Sequence, residues 1–135
     1  MNRSGWILAL VAALSVIAAC SNDPVAVVPH AGTLTVRLTT PHVDDGALTF
    51  TLSGPAINNA TAANASLRLF TRGGGSGDST LIGVLVGDLA TSAVVTLYVP
   101  DVTAVAYYSA HVLEVADRDD ALRASLAGYV LSVAP

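Results

Sequence analysis

Residues 33–39 have the sequence Thr-Leu-Thr-Val-Arg-Leu-Thr, in which polar and apolar residues alternate without a break. Residues 47–53, Ala-Leu-Thr-Phe-Thr-Leu-Ser, continue the same pattern. Successive side chains of a β-strand point to opposite faces, so an alternating segment buries one row and leaves the other in water. Both segments therefore predict half-buried strands of an antiparallel sheet. The rows predicted to face the core are Leu34, Val36 and Leu38, then Leu48, Phe50 and Leu52.

Five further segments are rich in Val, Leu, Thr or Tyr, which predicts five more strands. Turn-forming residues separate them, with the clearest breaks at 40–46, 54–55, 73–78 and 100–101. Asp119–Leu126 has helical character, because an Asp can cap its start and Gly128 follows its end. The additional predicted strands are Ser66–Thr71, Thr80–Val86, Ala93–Val99, Ala110–Ala116 and Tyr129–Ala134.

About seven short strands in roughly 100 residues predict an all-β fold, a single antiparallel β-sandwich over residues 33–135. A small barrel is the alternative. Residues 33–36, Thr-Leu-Thr-Val, and 95–102, Val-Thr-Leu-Tyr-Val-Pro-Asp-Val, loosely resemble cohesin-like and immunoglobulin-like sandwich modules. The Cys…Trp…Cys pattern of antibody domains is absent, since the chain has one cysteine, and its one tryptophan is Trp6. This likeness transfers no site residue.

The N-terminus has the organisation of an export signal. One positive charge, Arg3, precedes an almost entirely apolar run from Trp6 to Ala19. A helix of about fourteen residues is about 21 Å long, short of the roughly 30 Å hydrocarbon core of a membrane. Residues 1–19 are therefore predicted to be a cleaved signal peptide rather than a membrane-spanning helix.

The end of this run, Ile17-Ala18-Ala19-Cys20, resembles the lipobox of bacterial lipoproteins: a branched apolar residue, two small residues and a cysteine. The resemblance implies that Cys20 is alkylated with diacylglycerol, and that cleavage before Cys20 makes it the first mature residue. Two or three acyl chains hold a protein stably on a membrane, which is then a partner of this chain. Ser21, in place of the Asp that retains such proteins at the inner membrane, favours the outer membrane of the cell envelope.

Residues 20–32 are predicted to be the lipidated N-terminus and an extended tether. Pro24 and Pro29 disfavour a helix there. About ten extended residues span roughly 30 Å, which sets the distance of the domain from the membrane. The alternative is that Val25–Val28 form an edge strand.

The charge balance argues against nucleic acid as a partner. The chain has six basic residues, all arginines, and ten acidic ones. Phosphate binding needs a cluster of cations, whereas the arginines that remain after Arg3 is removed are scattered. One cysteine also excludes an intramolecular disulfide and a cysteine-based zinc site. The three histidines lack metal-ligand spacing, and we expect no cofactor.

Three groups of residues in loops are candidates for function. His42, Asp44 and Asp45 share the first turn and are candidate contact residues. Tyr107 and Tyr108 are adjacent in a loop, where they either contact a partner or divide into one buried and one exposed ring. Three carboxylates, Asp117, Asp119 and Asp120, form a calcium candidate, with helix capping and solvation as the alternative.

These features predict a non-catalytic, lipid-anchored module that binds an envelope protein or a polysaccharide through loops 40–46, 73–78 and 100–109. One alternative is a structural envelope component without a discrete ligand. Another is a small hydrolase that uses the turn at 42–45. A serine nucleophile elbow and a phosphate-binding loop are not indicated by residues 74–78, Gly-Gly-Ser-Gly-Asp, which lack the required final residues.

The lipid anchor makes the first testable prediction. Cells supplied with a palmitate analogue should label the wild-type protein, because the Cys20 thiol is the acceptor of the first lipid. The Cys20→Ala variant should carry no label, as judged by in-gel detection after affinity purification. Labelling of the variant would show that the anchor lies elsewhere.

Overall fold

The computed structural model describes residues 24–135. The predicted signal peptide and the predicted lipobox with Cys20 lie outside the described residues. The described chain forms eight strands in two four-stranded antiparallel sheets, so the prediction of a single all-β sandwich is confirmed. The strands are β1 (Gly32–Thr39), β2 (Asp45–Ile57), β3 (Asn59–Ala62), β4 (Arg68–Gly73), β5 (Asp78–Leu89), β6 (Ser92–Val99), β7 (Ser109–Asp117) and β8 (Val130–Ala134).

The strands are interleaved between the sheets. Sheet I has the order β3-β6-β1-β8, and sheet II has the order β4-β5-β2-β7. Within the described range, the chain changes sheet at every connection except the hairpin between β4 and β5. The two strands with the clearest alternation, β1 and β2, are therefore interior strands of different sheets, and their apolar rows face each other across the core.

The core contains the side chains that the alternating sequence pattern predicted to be buried. Leu34, Val36 and Leu38 of β1 and Leu48, Phe50 and Leu52 of β2 are each at most 1% exposed. Burial of one such side chain stabilises a fold by roughly 1.5–3 kcal/mol. The Phe50 ring fits because Gly83 lies beneath it on β5: a Cβ built at Gly83 would lie 2.4 Å from Phe50 Cζ.

β2 is longer than predicted, and β3 was missed. The break expected at Gly54-Pro55 is wrong, since β2 continues through it to Ile57. Pro55 is tolerated because the β2–β5 pairing is irregular between Ser53 and Ile57, where no ladder hydrogen bond is required of it. β3 has only four residues, Asn-Ala-Thr-Ala, too short and too poor in β-formers for a pattern to show.

The predicted helix over Asp119–Leu126 is wrong. The segment is irregular, and its Asp120 has a φ of 64°, outside the helical region. The Asp117 side chain accepts hydrogen bonds from the backbone N–H groups of Asp119 and Ala121, both at 2.9 Å. Such bonds compete with helical ones, so the residues that suggested a helix cap instead stabilise a turn. The 100–109 loop conversely contains a short 3₁₀ segment, Val102–Tyr107.

The sandwich has two distinct ends. At the end where the chain enters lie residues 24–31, the loop 74–77 and the 3₁₀ segment; the loops 40–44, 90–91 and 118–129 form the opposite, distal end. Residues 24–31 are exposed and form no strand, so the edge-strand alternative is wrong. Their last part is fixed to the domain, because Val102 N–H donates to the His30 carbonyl at 2.8 Å.

Candidate functional site

A buried carboxylate lies at the distal end of the sandwich. Asp45 is the first residue of β2 and is 0% exposed, the one buried charged residue of the part described. Its main chain is fixed by pairing with Leu89 of β5 and Asp117 of β7. A charge taken out of water is costly unless donors surround it. We call the group that surrounds it, Thr40, Asp44, Asp45, Arg123 and Tyr129, the Asp45 cluster.

Both oxygens of Asp45 are occupied by donors. Oδ1 lies 3.0 Å from Arg123 Nε and 2.9 Å from Arg123 Nη2, a double contact from one planar guanidinium. The Tyr129 hydroxyl lies 2.9 Å from Oδ1 and 3.0 Å from Oδ2. Thr40 Oγ1 donates to Oδ2 at 2.5 Å. Asp45 thus joins the end of β1, the start of β2 and the segment that leads to β8.

The hydrogen bonds keep this buried carboxylate ionised. Burial alone would raise the pKa of Asp45, but the hydrogen bonds from Thr40, Tyr129 and Arg123 outweigh it and lower that pKa below its ordinary value. Hydrogen bonding to Asp45 raises the pKa of Arg123 in turn, so the pair stays charged. Burial, followed by the neighbouring Asp45, raises the pKa of the Tyr129 hydroxyl, which therefore remains a donor.

The other residues of the first turn lie at the surface of the cluster. Asp44 Oδ1 lies 2.5 Å from Arg123 Nη2, and the Asp44 side chain is 57% exposed. The exposed His42 ring lies against the Tyr129 ring, with centroids 5.8 Å apart and planes at 30°. Asp44 and His42 thus lie on the solvent side of the buried Asp45–Arg123 ion pair.

Asp45 is unsuited to act as the general base of the hydrolase alternative. A general base needs an accessible oxygen and a pKa near the working pH. Asp45 has neither, since it is fully buried and its pKa is lowered. In the portion of the chain described here, no hydrogen bond joins the His42 ring to Asp44 or Asp45. The turn therefore holds a structural ion pair, and Asp45 cannot form part of a contact surface.

The sequence indicated Asp44 and Asp45 but missed their partners. Arg123 and Tyr129 are 78 and 84 residues away along the chain from Asp45. Arg123 lay in the predicted helix, and Tyr129 was assigned as the first residue of a strand. A pattern within one segment carries no information about such a distant pair. The one available signal was an arginine in a chain with few basic residues.

The calcium candidate is not assembled by the fold. Asp117 Oδ1 already accepts two backbone N–H groups, while Asp119 and Asp120 are exposed in the turn that Asp117 stabilises. Among residues 24–135, no three His, Cys, Asp or Glu side chains converge in a way that could hold a metal ion.

The two adjacent tyrosines divide into one exposed and one buried ring. Tyr107 is 76% exposed, whereas Tyr108 is 7% exposed. The Tyr108 ring packs on Gly54, where a Cβ would lie 2.2 Å from Cδ1, and its hydroxyl donates to the Ala56 carbonyl at 2.5 Å. Tyr108 therefore packs the 100–109 loop onto β2, and only Tyr107 remains available for contacts.

Comparison of the chain with models of known protein families, with curated proteins and with solved structures gives no match. In the region from residue 24 to residue 135, no helix has the length and apolar character needed to cross a membrane.

Replacement of Asp45 should destabilise the fold much more than replacement of its neighbour. Asp45→Asn removes the charge from a buried pair and leaves Arg123 without its main partner, which should lower the free energy of unfolding by about 3 kcal/mol. Asp44→Asn changes an exposed ion pair and should cost less than about 1 kcal/mol. Urea unfolding of both variants measures the difference, and equal costs would contradict the role given to Asp45.

The same carboxylate should make stability depend on acid. A lowered pKa in the folded state means that Asp45 stabilises the protein fully above its unfolded-state pKa of about 3.9, and that this contribution is lost as the pH falls through the folded-state pKa. The difference in unfolding free energy between wild type and Asp45→Asn should therefore be constant from pH 5 to 7 and shrink below about pH 4. A difference that stays constant at lower pH would be evidence against this linkage.

Proposed function

We propose that this chain is a lipid-anchored envelope protein that displays a non-catalytic β-sandwich for binding a protein or polysaccharide partner. Acylation of Cys20 after removal of residues 1–19 would supply the anchor, and Ser21 favours the outer membrane. The interleaved sandwich is the display domain. Its likeness to cohesin-like or immunoglobulin-like modules is part of the proposal and rests on the sequence patterns alone.

One observation carries the binding role: the outer face of sheet II exposes a contiguous group of apolar side chains. Phe70 of β4 lies opposite Val84 of β5, and Ile82 and Val86 flank Val84 on the same face. Phe70 is 60% exposed, Ile82 45% and Val86 42%. We call these four residues the outer patch. On most protein surfaces, exposed apolar side chains are isolated from one another. A contiguous group of them is therefore typical of an interaction site.

The opposite outer face differs in character. On sheet I, the exposed rows of β1 and β6 carry threonines together with Arg37 and Tyr98, and the outer row of β8 carries Ser132 beside a single exposed apolar residue, Val130. A polar outer face is what alternation alone would produce on a solvated sheet. The outer patch is therefore a departure from that pattern on sheet II.

The structural role of Asp45 argues against its use in hydrolysis. Of the residues that suggested acid–base chemistry, Asp45 forms a buried ion pair with Arg123, and Asp44 contacts the same guanidinium. Two of the loop residues that were expected to make contacts, Asp45 and Tyr108, are buried, so they are not available to a partner. His42, Asp44 and Tyr107 remain exposed, but they lie at opposite ends of the sandwich.

The position of the tether supports display of this face. The chain enters at one end of the sandwich, so a lipid at Cys20 would hold the 3₁₀ segment and loop 74–77 toward the membrane. The outer patch then lies on the side of the domain, where a partner anchored in the same membrane or in the surrounding envelope can reach it.

Site-specific photocrosslinking tests the proposal. With p-benzoylphenylalanine in place of Phe70, irradiation of intact cells should join the protein to one recurrent partner, because a bound partner must cover the outer patch. The matched control is the same substitution at Tyr98, an exposed aromatic residue on the outer face of sheet I. A glycan partner would be recognised by adducts that glycosidases shorten.

Two results would overturn the proposal. Adducts of equal yield at residues 70 and 98 would indicate random collision. Absence of adducts at residue 70 would favour the alternative of a structural envelope component without a discrete ligand.

A further inference from the structure

The edge strand of sheet II has a free main-chain edge. In the described region, β4 pairs with β5 alone, and no other strand covers its second side. In an antiparallel sheet, every second residue of such an edge directs its N–H and C=O groups away from the sheet. These groups form a template to which another extended chain can pair.

The side chains along this edge form a regular pattern. Arg68, Phe70 and Arg72 alternate along β4 and share its outer face, where they lie opposite Val86, Val84 and Ile82 of β5. All three are exposed. The Cα atoms of residues two apart in a strand are about 6.7 Å apart. The Cα atoms of Arg68 and Arg72 are therefore about 13 Å apart, with Phe70 between them.

The charges of the two arginines are not neutralised within the domain. Of the five arginines between residues 24 and 135, Arg118 and Arg123 form ion pairs, whereas Arg37, Arg68 and Arg72 form none with any described residue. The chain as a whole has a formal charge of −4. Arg68 and Arg72 differ from Arg37 in sharing one strand face with an exposed aromatic ring, and their two charges are complementary to an anionic partner.

We propose that β4 accepts an extended segment of a partner protein by strand addition, and that this segment carries an acidic, an apolar and an acidic residue at alternate positions. The proposal rests on the proposed function and specifies its partner. Main-chain pairing would supply affinity, and the alternate side chains would supply specificity. Opposite charges and apolar groups that face each other across neighbouring strands attract.

The edge favours a peptide over a polysaccharide. A peptide backbone repeats its donors and acceptors at the spacing that the β4 edge presents, which a sugar chain does not. The side chains next to Phe70 are the aliphatic Ile82, Val84 and Val86 rather than further aromatic rings. Aliphatic surface suits an apolar side chain, whereas sugars are bound mainly by polar groups and stacked rings.

Arginines on an edge strand also have a known protective role, because charge on an edge discourages pairing between copies of a protein. If the arginines have this protective role, removal of their charge should produce self-association. The proposal predicts instead that the charge selects the partner. The experiment must therefore follow both peptide binding and oligomeric state.

The probe is the peptide acetyl-Gly-Glu-Thr-Val-Thr-Glu-Gly-amide, added to the mature lipid-bearing protein in detergent micelles. Its pattern is the same in both directions, so it presents the same charges whether it pairs parallel or antiparallel. Hydrogen exchange measured by mass spectrometry should show slower exchange of the amides of residues 68–73. The matched peptide with Lys in place of Glu should bind roughly tenfold more weakly.

A charge-reversed variant provides the decisive comparison. Arg68→Glu combined with Arg72→Glu should bind the Lys peptide better than the Glu peptide, which inverts the preference of the wild type. The control is Arg37→Glu, another exposed arginine that lies on β1 in sheet I; it should keep the wild-type preference. Because all these side chains are exposed, the variants should fold, and their far-UV circular dichroism should match that of the wild type.

Three results would overturn the proposal: no binding of either peptide at millimolar concentration, equal binding of both, or binding without protection of residues 68–73. Self-association of the charge-reversed or an Arg68→Ala, Arg72→Ala variant, without any change in peptide preference, would assign the arginines to protection of the edge. In each case, crosslinking at residue 70 would still decide separately whether the outer patch binds a partner.

Discussion

The buried carboxylate of Asp45 determines how the distal end of the sandwich closes. A charge with no exposed surface is tolerable only if its oxygens are satisfied, and the donors come from two separated parts of the chain: Thr40 after β1, and Arg123 and Tyr129 in the connection from β7 to β8. The connection from β7 must therefore bring Arg123 and Tyr129 to one point above β2. Because β8 begins directly after Tyr129, this requirement also directs β8 toward its place beside β1.

The strands at the centre of the sheets could be predicted because their burial is periodic. In β1 and β2, the buried row is apolar and the other row polar, so the pattern and the environment agree residue by residue. The strands at the edges and the irregular parts are different. β3 has small residues and one partner strand, β6, and Pro55 lies in β2 only because the ladder is interrupted there. Their conformation is set by what they lie against, which no local pattern records.

The candidate site was predictable only in part for the same reason. Adjacent acidic residues in a turn drew attention to Asp44 and Asp45, but the sequence does not distinguish an acid that faces solvent from one that faces inward. The difference depends on Arg123 and Tyr129, which are distant in the chain. In the segment 117–128, helix-capping residues were present without a helix, since the Asp117 carboxylate binds nearby backbone N–H groups in a turn. A side chain that can cap a helix accepts hydrogen bonds from backbone N–H groups, and it can do so equally in a helix or in a turn. Its presence therefore does not by itself predict a helix.

The segment Arg68-Leu69-Phe70-Thr71-Arg72 shows how a departure from alternation can indicate function. Leu69 is the residue of this strand that packs against the core, which assigns Arg68, Phe70 and Arg72 to the outer row. Two of these are charged, as a solvated row requires, and the third is a large aromatic ring that solvation does not explain. The outer rows of β1 and β2 are rich in Thr and Ser, whereas the Phe70 ring remains 60% exposed, so folding leaves most of its apolar surface in water. A large apolar side chain that the fold leaves mostly exposed is consistent with the proposal that a partner covers it, together with the rest of the outer patch on sheet II.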